Sequence, residues 1–165
     1  MGYAFKYFND MNFKGNDDII IIDDHKEIKT LNELISRKEF KDKVLYIDMW
    51  GVYCRPCIEE FGYLADIKTR YDGMGVSFVY LASPYKRLDD EQKWKAALKK
   101  YDLKGHHVLM GMEFYNGLWK EIPDMDSPYL IPHYLLVDKS GEIVLSNAPR
   151  PSEREELFEQ IDNLL

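Results

Sequence analysis

The sequence predicts a layered α/β domain whose central sheet combines crossover-linked strands with a terminal antiparallel hairpin. Three observations predict it. Short apolar runs alternate with stretches of helical periodicity along most of the chain. Near the C-terminus, the runs at residues 133–137 and 142–146 are separated by D-K-S-G, a tight-turn composition. Finally, 165 residues with 45% hydrophobic and 31% charged side chains are enough for a sizeable core.

The elements follow in chain order. Residues 1–18 are polar and aromatic and read as an irregular N-terminal extension. The run at 19–22 is a short strand ended by Asp23 and Asp24, and Leu31, Leu34 and Ile35 mark a short helix. Residues 43–49 have almost no polar face until Asp48, as in a strand buried on both sides. From Cys54 the period changes: Cys54, Cys57, Ile58, Phe61, Leu64 and Ala65 predict one helix. Residues 75–82 are a second buried strand, Trp94, Ala97, Leu98 and Tyr101 a further helix, and 107–110 a strand. Residues 111–130, punctuated by Gly111, Gly117, Pro123 and Pro128, read as irregular. After the hairpin, Ser152 and Glu155 form a capping box for a last helix with Leu157, Phe158, Ile161, Leu164 and Leu165 on its apolar face. With no repeat or linker-like run, residues 1–165 read as a single domain, its core at 19–165.

Charge narrows the function classes. The net charge is 22 − 29 = −7 with both signs interspersed, which argues against a nucleic-acid binder. The longest isoleucine run is four residues, far short of the roughly 18 a transmembrane segment needs. The opening M-G-Y-A-F-K-Y-F-N-D has no signal-peptide core. Read alone, that start points to the cytosol; a signal or domain removed ahead of Met1 would leave the same start.

Both cysteines of the chain lie in W-G-V-Y-C-R-P-C-I-E-E, two residues apart. A tetrahedral zinc site would need two more ligands, and His25, His106, His107 and His133 show no H-x3–5-H spacing. A structural staple would close too small a loop to constrain the unfolded chain much. A reactive dithiol accounts for the placement. Cysteines three apart in a first helical turn share a face. Cys54 at the helix N-terminus sits where unpaired amides and the helix dipole favour a thiolate. Pro56 suits the first turn, Arg55 adds a cation, and Cys57 lies one turn deeper as the resolving thiol.

In its surroundings, D-M-W-G-V-Y-C-R-P-C from Asp48 to Cys57 resembles the thioredoxin active site, D-x-W-x-x-W-C-x-P-C. The wider frame, continuing I-E-E-F-G-Y-L, is more similar to the extracytoplasmic TlpA/ResA-like branch, W-x-x-W-C-x-P-C-x-x-E-x-P. The likeness runs from about residue 19 to 165, with two departures: Tyr53 stands for a Trp, and Gly62 for the Pro that bends the helix. The resemblance implies a thioredoxin-like fold with the N-terminal extension and an insertion before a cis-proline strand. It implies that Asp48 lies beneath the thiols and helps Cys57 lose its proton, that Glu60 is a second functional acid, and that Ile131-Pro132 is a cis bond facing the cysteines. Trp50, Tyr53, Arg55 and Pro56 would rim Cys54, and Ile131 would offer its backbone to an incoming peptide. His133, in place of a common Thr, reads as a packed strand residue, and Met110, Met112, Phe114, Tyr115 and Trp119 as core rather than a partner surface.

The activity expected is a thiol–disulfide oxidoreductase that reduces protein disulfides through a mixed disulfide. No metal or organic cofactor is needed beyond the Cys54–Cys57 pair. Its partners would be protein disulfides and an upstream dithiol electron donor, and its compartment extracytoplasmic. The alternatives are a thiol peroxidase and a thioredoxin-fold binding module with vestigial cysteines.

Overall fold

The computed structural model describes residues 18–22, 24–84 and 87–165. The expected lead-in, apart from Asp18, and Asp23 at the end of the first strand lie outside the described residues.

Six strands form one sheet: β1 (Ile19–Ile21), β2 (Val44–Trp50), β3 (Val76–Ala82), β4 (Gly105–Leu109), β5 (His133–Val137) and β6 (Ile143–Leu145), in the order β1-β4-β3-β2-β5-β6. The first four run parallel to their neighbours, whereas β5 is antiparallel to β2 and β6 to β5. Apolar continuity explains the centre: all seven residues of β2 are buried, as are six of the seven in β3. Such strands need cover on both faces. One face, carrying Tyr46, Trp50, Phe78, Tyr80, Tyr134 and Leu136, packs under Cys57, Phe61, Leu64, Ile67, Leu157 and Ile161. The other, carrying Leu45, Ile47, Met49, Val79, Leu81 and Leu135, packs under Leu31, Leu34, Phe114 and Leu118. The hairpin closes as its turn composition requires, with Gly141 at φ +88° and its amide donating to Asp138 O.

Among the described residues, six helices cover the sheet: α1 (Leu31–Ile35), α2 (Arg55–Glu60), α3 (Leu64–Tyr71), α4 (Asp90–Lys100), α5 (Met112–Glu121) and α6 (Arg154–Asp162). They correct the sequence reading at three points. The single helix expected from Cys54 is two, α2 and α3, joined by a 3-10 turn at Phe61–Tyr63, and Ala65 is exposed. The break therefore persists although Gly62 stands where a proline is usual. Residues 111–130 are not wholly irregular, because α5 occupies half of them. Gly111 is its N-cap, and burial of Phe114, Leu118 and Trp119 outweighs the roughly 1 kcal/mol that Gly117 costs inside a helix. The α5 terminus also serves its neighbour: the Glu121 carboxylate accepts from the Leu31 and Asn32 amides at 2.9 and 3.1 Å, capping α1. Finally, Ser152 is not a helix cap. Glu153 takes the N-cap position without a side-chain bond, and the Ser152 hydroxyl is engaged elsewhere.

Two glycines give a contrast that stability measurements check. Gly105 adopts φ +134°, and a Cβ there would lie 2.6 Å from Phe78 O; Gly62 has nothing within 4 Å of such a Cβ. Gly105→Ala is expected to cost about 2 kcal/mol or more in urea unfolding, from strain and overpacking between β4 and β3. Gly62→Ala is expected to gain roughly 0.5 kcal/mol.

Candidate functional site

The buried strand β2 delivers the chain to the site. Trp50 at its end is fully buried, and its carbonyl accepts from the Ser83 amide at 2.8 Å, tying the ends of β2 and β3 together. The chain then turns within four residues, the Cys54 amide donating to Gly51 O at 3.0 Å. Cys54 becomes the N-cap of α2: its Sγ accepts from the Cys57 amide at 3.3 Å, and Pro56 occupies the first turn, where no amide is needed. A disulfide joins Cys54 and Cys57, with Cα atoms 5.3 Å apart. Cys57 is fully buried and Cys54 half-buried, so the outer sulfur is the one a partner reaches.

Opposite this turn, the Ile131–Pro132 bond is cis, as expected. A Cβ on Gly51 would stand 3.3 Å from the Ile131 side chain, which shows how closely the two loops approach. His133 is the packed strand residue anticipated, its Nε2 lying 2.6 Å from Ser146 O, just past the end of β6. Met110, Phe114 and Trp119 are core, while Met112 is 58% exposed.

The two acids are both buried but held differently. Asp48 shares a β2 face with Tyr46 and Trp50, the face that Cys57 packs against. Neither of its oxygens has a hydrogen-bond partner among the described residues. Burial pushes its carboxyl well above the usual range; the Lys68 cation pulls the other way, and the Glu60 charge adds to the rise. Glu60 has two donors from one residue: the Ser152 amide and hydroxyl each reach one of its oxygens at 2.9 Å. Asp48 and Glu60 thus interact through charge while Glu60 is fastened to the entry of α6.

Arg55, read as a cation next to Cys54, has an ion-pair partner. Its guanidinium pairs with Glu59 at 3.1 Å, and both side chains are largely exposed. Tyr53, 62% exposed, is held by its hydroxyl, which donates to Asp90 on α4 at 2.5 Å.

Sequence reasoning missed Lys68, Asp90 and Ser152. Lys68 sits on α3 with its Nζ donating to Lys104 O at 2.6 Å and lying 5.0 Å over the ring of Tyr80, the residue registered opposite Asp48. Burial lowers its pKa to about 7, against the pull of Asp48. A signal existed for two of the three. Lys68 interrupts the apolar stripe of Phe61, Leu64 and Tyr71, and Asp90 lies one turn before Trp94 on the stripe of α4. No pattern pointed to Ser152, whose partner is 92 residues away.

No cluster of three or more His, Cys, Asp or Glu side chains able to hold a metal occurs among the described residues. No helix among them is long and apolar enough to cross a membrane.

Comparison with known proteins agrees with this geometry. The Redoxin family pattern matches residues 12–165. Thiol-disulfide oxidoreductase ResA of Bacillus cereus (strain ZK / E33L) is 27% identical over 110 residues, 67% of this chain and 57% of the relative. ResA of Bacillus thuringiensis subsp. konkukian is 28% identical over 111 residues, with the same coverage of each. The matched region thus spans little more than half the length of these relatives. Among solved structures, a thiol:disulfide interchange protein from Bacteroides sp. superposes with a TM-score of 0.61 at 21% identity, covering 80% of this chain and 78% of that one. The thioredoxin domain of a thiol-disulfide oxidoreductase from Bacteroides vulgatus gives 0.58 at 23%, covering 76% and 81%. The fold is thioredoxin-like, and its redox group is the protein's own cysteine pair. The chain belongs to the Redoxin family, is similar to ResA over part of that protein's length, and carries a disulfide between Cys54 and Cys57.

Proposed function

We propose that the chain reduces disulfides of protein substrates outside the cytoplasm, drawing electrons from another dithiol protein. The observation that carries this reading is the asymmetry of the pair: a half-buried cysteine capping a helix, and a fully buried one a turn deeper, packed on the sheet face that carries an acid with no hydrogen-bond partner among the described residues.

In the reduced protein, the Cys54 thiolate attacks one sulfur of the substrate disulfide. A Cys54–substrate bond forms, and the other substrate sulfur leaves as a thiolate that takes a proton from solvent. Cys57 then gives its proton to Asp48 and attacks Cys54 Sγ. The Cys54–Cys57 bond forms and the Cys54–substrate bond breaks, so the substrate gains two electrons and the pair loses two. A dithiol donor returns the pair to its reduced state by the reverse exchange. The Cys57 amide, which donates to Cys54 Sγ, and the helix dipole favour its thiolate. Asp48 is the proton acceptor in its carboxylate form, whose proton affinity burial raises toward that of a thiol. Glu60, anchored to Ser152, sets the charge beside it. Trp50, Tyr53 and Pro56 form the rim, and the Ile131 backbone ahead of Pro132 meets the substrate segment as an added strand would. An extracytoplasmic setting, proposed by likeness to ResA, fits a chain that needs an external donor, because such surroundings are oxidising.

Two experiments test these roles. Cys57→Ser, mixed with a disulfide-bearing peptide, is expected to accumulate a Cys54-linked mixed disulfide visible by mass spectrometry, and Cys54→Ser to accumulate almost none. Equal trapping by both variants, or by neither, refutes the assignment of attacking and resolving thiols. With the wild-type pair, Asp48→Asn is expected to slow release of the mixed disulfide by about a hundredfold near neutral pH.

The same substitution has a stability signature. The folded-state pKa of Asp48 is raised, so the native state binds more protons than the unfolded chain above the unfolded value of about 3.9, and stability falls as pH rises. Lys68, lowered to about 7 in the folded state, acts in the opposite sense: stability rises between about 7 and the unfolded value of roughly 10.4. Oxidised Asp48→Asn is therefore expected to exceed the wild type in urea midpoint at pH 8, by a margin that shrinks toward pH 4. A margin that does not grow with pH contradicts the buried-acid reading.

A further inference from the structure

Tyr53 departs from the tryptophan of its relatives, and its hydroxyl enters a network that a tryptophan could not join. It donates to Asp90 Oδ1 at 2.5 Å, and the Arg87 amide donates to Asp90 Oδ2 at 2.9 Å. Lys93 Nζ donates to the Tyr53 hydroxyl at 3.2 Å. The Arg87 guanidinium and the Lys93 ammonium each lie 5.7 Å from the Tyr53 ring centroid, within cation–π range. Two cations from the start of α4 and the loop before it are thus gathered onto the residue preceding Cys54.

Charge around this rim does not cancel toward solvent. Arg55 is matched by Glu59 at 3.1 Å, and Lys93 by Asp89 at 2.9 Å. The third acid, Asp90, has a side chain 2% exposed and faces inward, so it is not presented to a partner. Arg87 is exposed, and its guanidinium forms no ion pair with a carboxylate among the described residues. In a chain of net charge −7, a local cation with no carboxylate partner among the described residues is a departure from the surrounding surface.

We propose that Tyr53 and Asp90 form a clip that holds Arg87 at the rim of Cys54, where it selects protein substrates with an acidic side chain next to the disulfide. The buried Asp90 carboxylate fixes the Arg87 backbone and the Tyr53 ring together. The guanidinium over that ring then meets a carboxylate on a segment docked against Cys54. The proposal rests on the oxidoreductase reading for its substrate class, and the experiment separates the two.

Two cystine peptides are compared, identical except for Glu or Lys flanking the disulfide. At low salt, the reduced wild type is expected to reduce the Glu peptide with a kcat/KM about two- to fivefold higher, as an exposed charge pair supports, and the advantage is expected to fade near 1 M salt. Arg87→Gln is expected to equalise the peptides, Arg87→Lys to retain part of the preference, and Tyr53→Phe, which keeps the ring and loses the hydroxyl, to reduce it. Equal kcat/KM for both peptides in the wild type, or a preference that survives Arg87→Gln, overturns the proposal. A second arm measures binding of the same peptides to the Cys54→Ser, Cys57→Ser double variant by calorimetry. If neither peptide is reduced but the Glu peptide still binds more tightly, the oxidoreductase reading fails and the clip stands. If both are reduced and bound alike, the clip fails and the activity stands.

Discussion

Strand β2 has no solvent-facing side, and most of the site follows from that constraint. A strand with every residue buried, flanked in register by β3 and β5, can leave the sheet only at its end. It leaves at Trp50, and a four-residue turn carries the chain to the start of α2. The first amides of that helix need acceptors, and the Cys54 sulfur is one of them. The reactive position is therefore a by-product of how a buried strand is handed over to a helix. Asp48 is the cost of the same arrangement: two positions from the strand end, on the face under α2, a carboxylate has nowhere to go but inside.

The acids and the lysine beneath the pair divide their tasks by what surrounds each. Asp48 has no donor within reach among the described residues, so it favours the neutral form. Glu60 is fixed by the amide and hydroxyl of Ser152, which link α2 to α6. Lys68 lies over the ring of Tyr80, the residue registered with Asp48, and burial lowers its pKa to about 7. Opposite charges in so dry a setting influence each other over several ångströms. The proton balance under the sulfurs thus belongs to a group drawn from two strands, two helices and a loop.

Much of this was legible in the sequence. The apolar continuity of β2 and β3, the turn before β6 and the change of period at Cys54 each have a local cause, so local patterns revealed them. The cis bond ahead of Pro132 became legible through resemblance rather than periodicity. Misreadings arose where tertiary packing overrode local preference. Gly111 and Gly117 looked like punctuation, yet α5 forms because Phe114, Leu118 and Trp119 are buried. Ser152 and Glu155 matched a capping pattern, but Glu60 offered the Ser152 hydroxyl a partner across the molecule. The pairing of Arg55 with Glu59, four residues on, was not read from the sequence. The clip at Tyr53 was out of reach because Asp90 is 37 residues from Tyr53.

The bond from Glu121 to the first amides of α1 has a bearing on how such proteins diversify. Segments ahead of the proline loop look like natural cassettes, free to be swapped between relatives. Here the cassette terminates in the acceptor that another helix relies on, 90 residues upstream. A graft that replaces α5 without supplying an equivalent carboxylate would leave the Leu31 and Asn32 amides without that acceptor, with only the Thr30 hydroxyl still capping α1, so the two pieces are coupled.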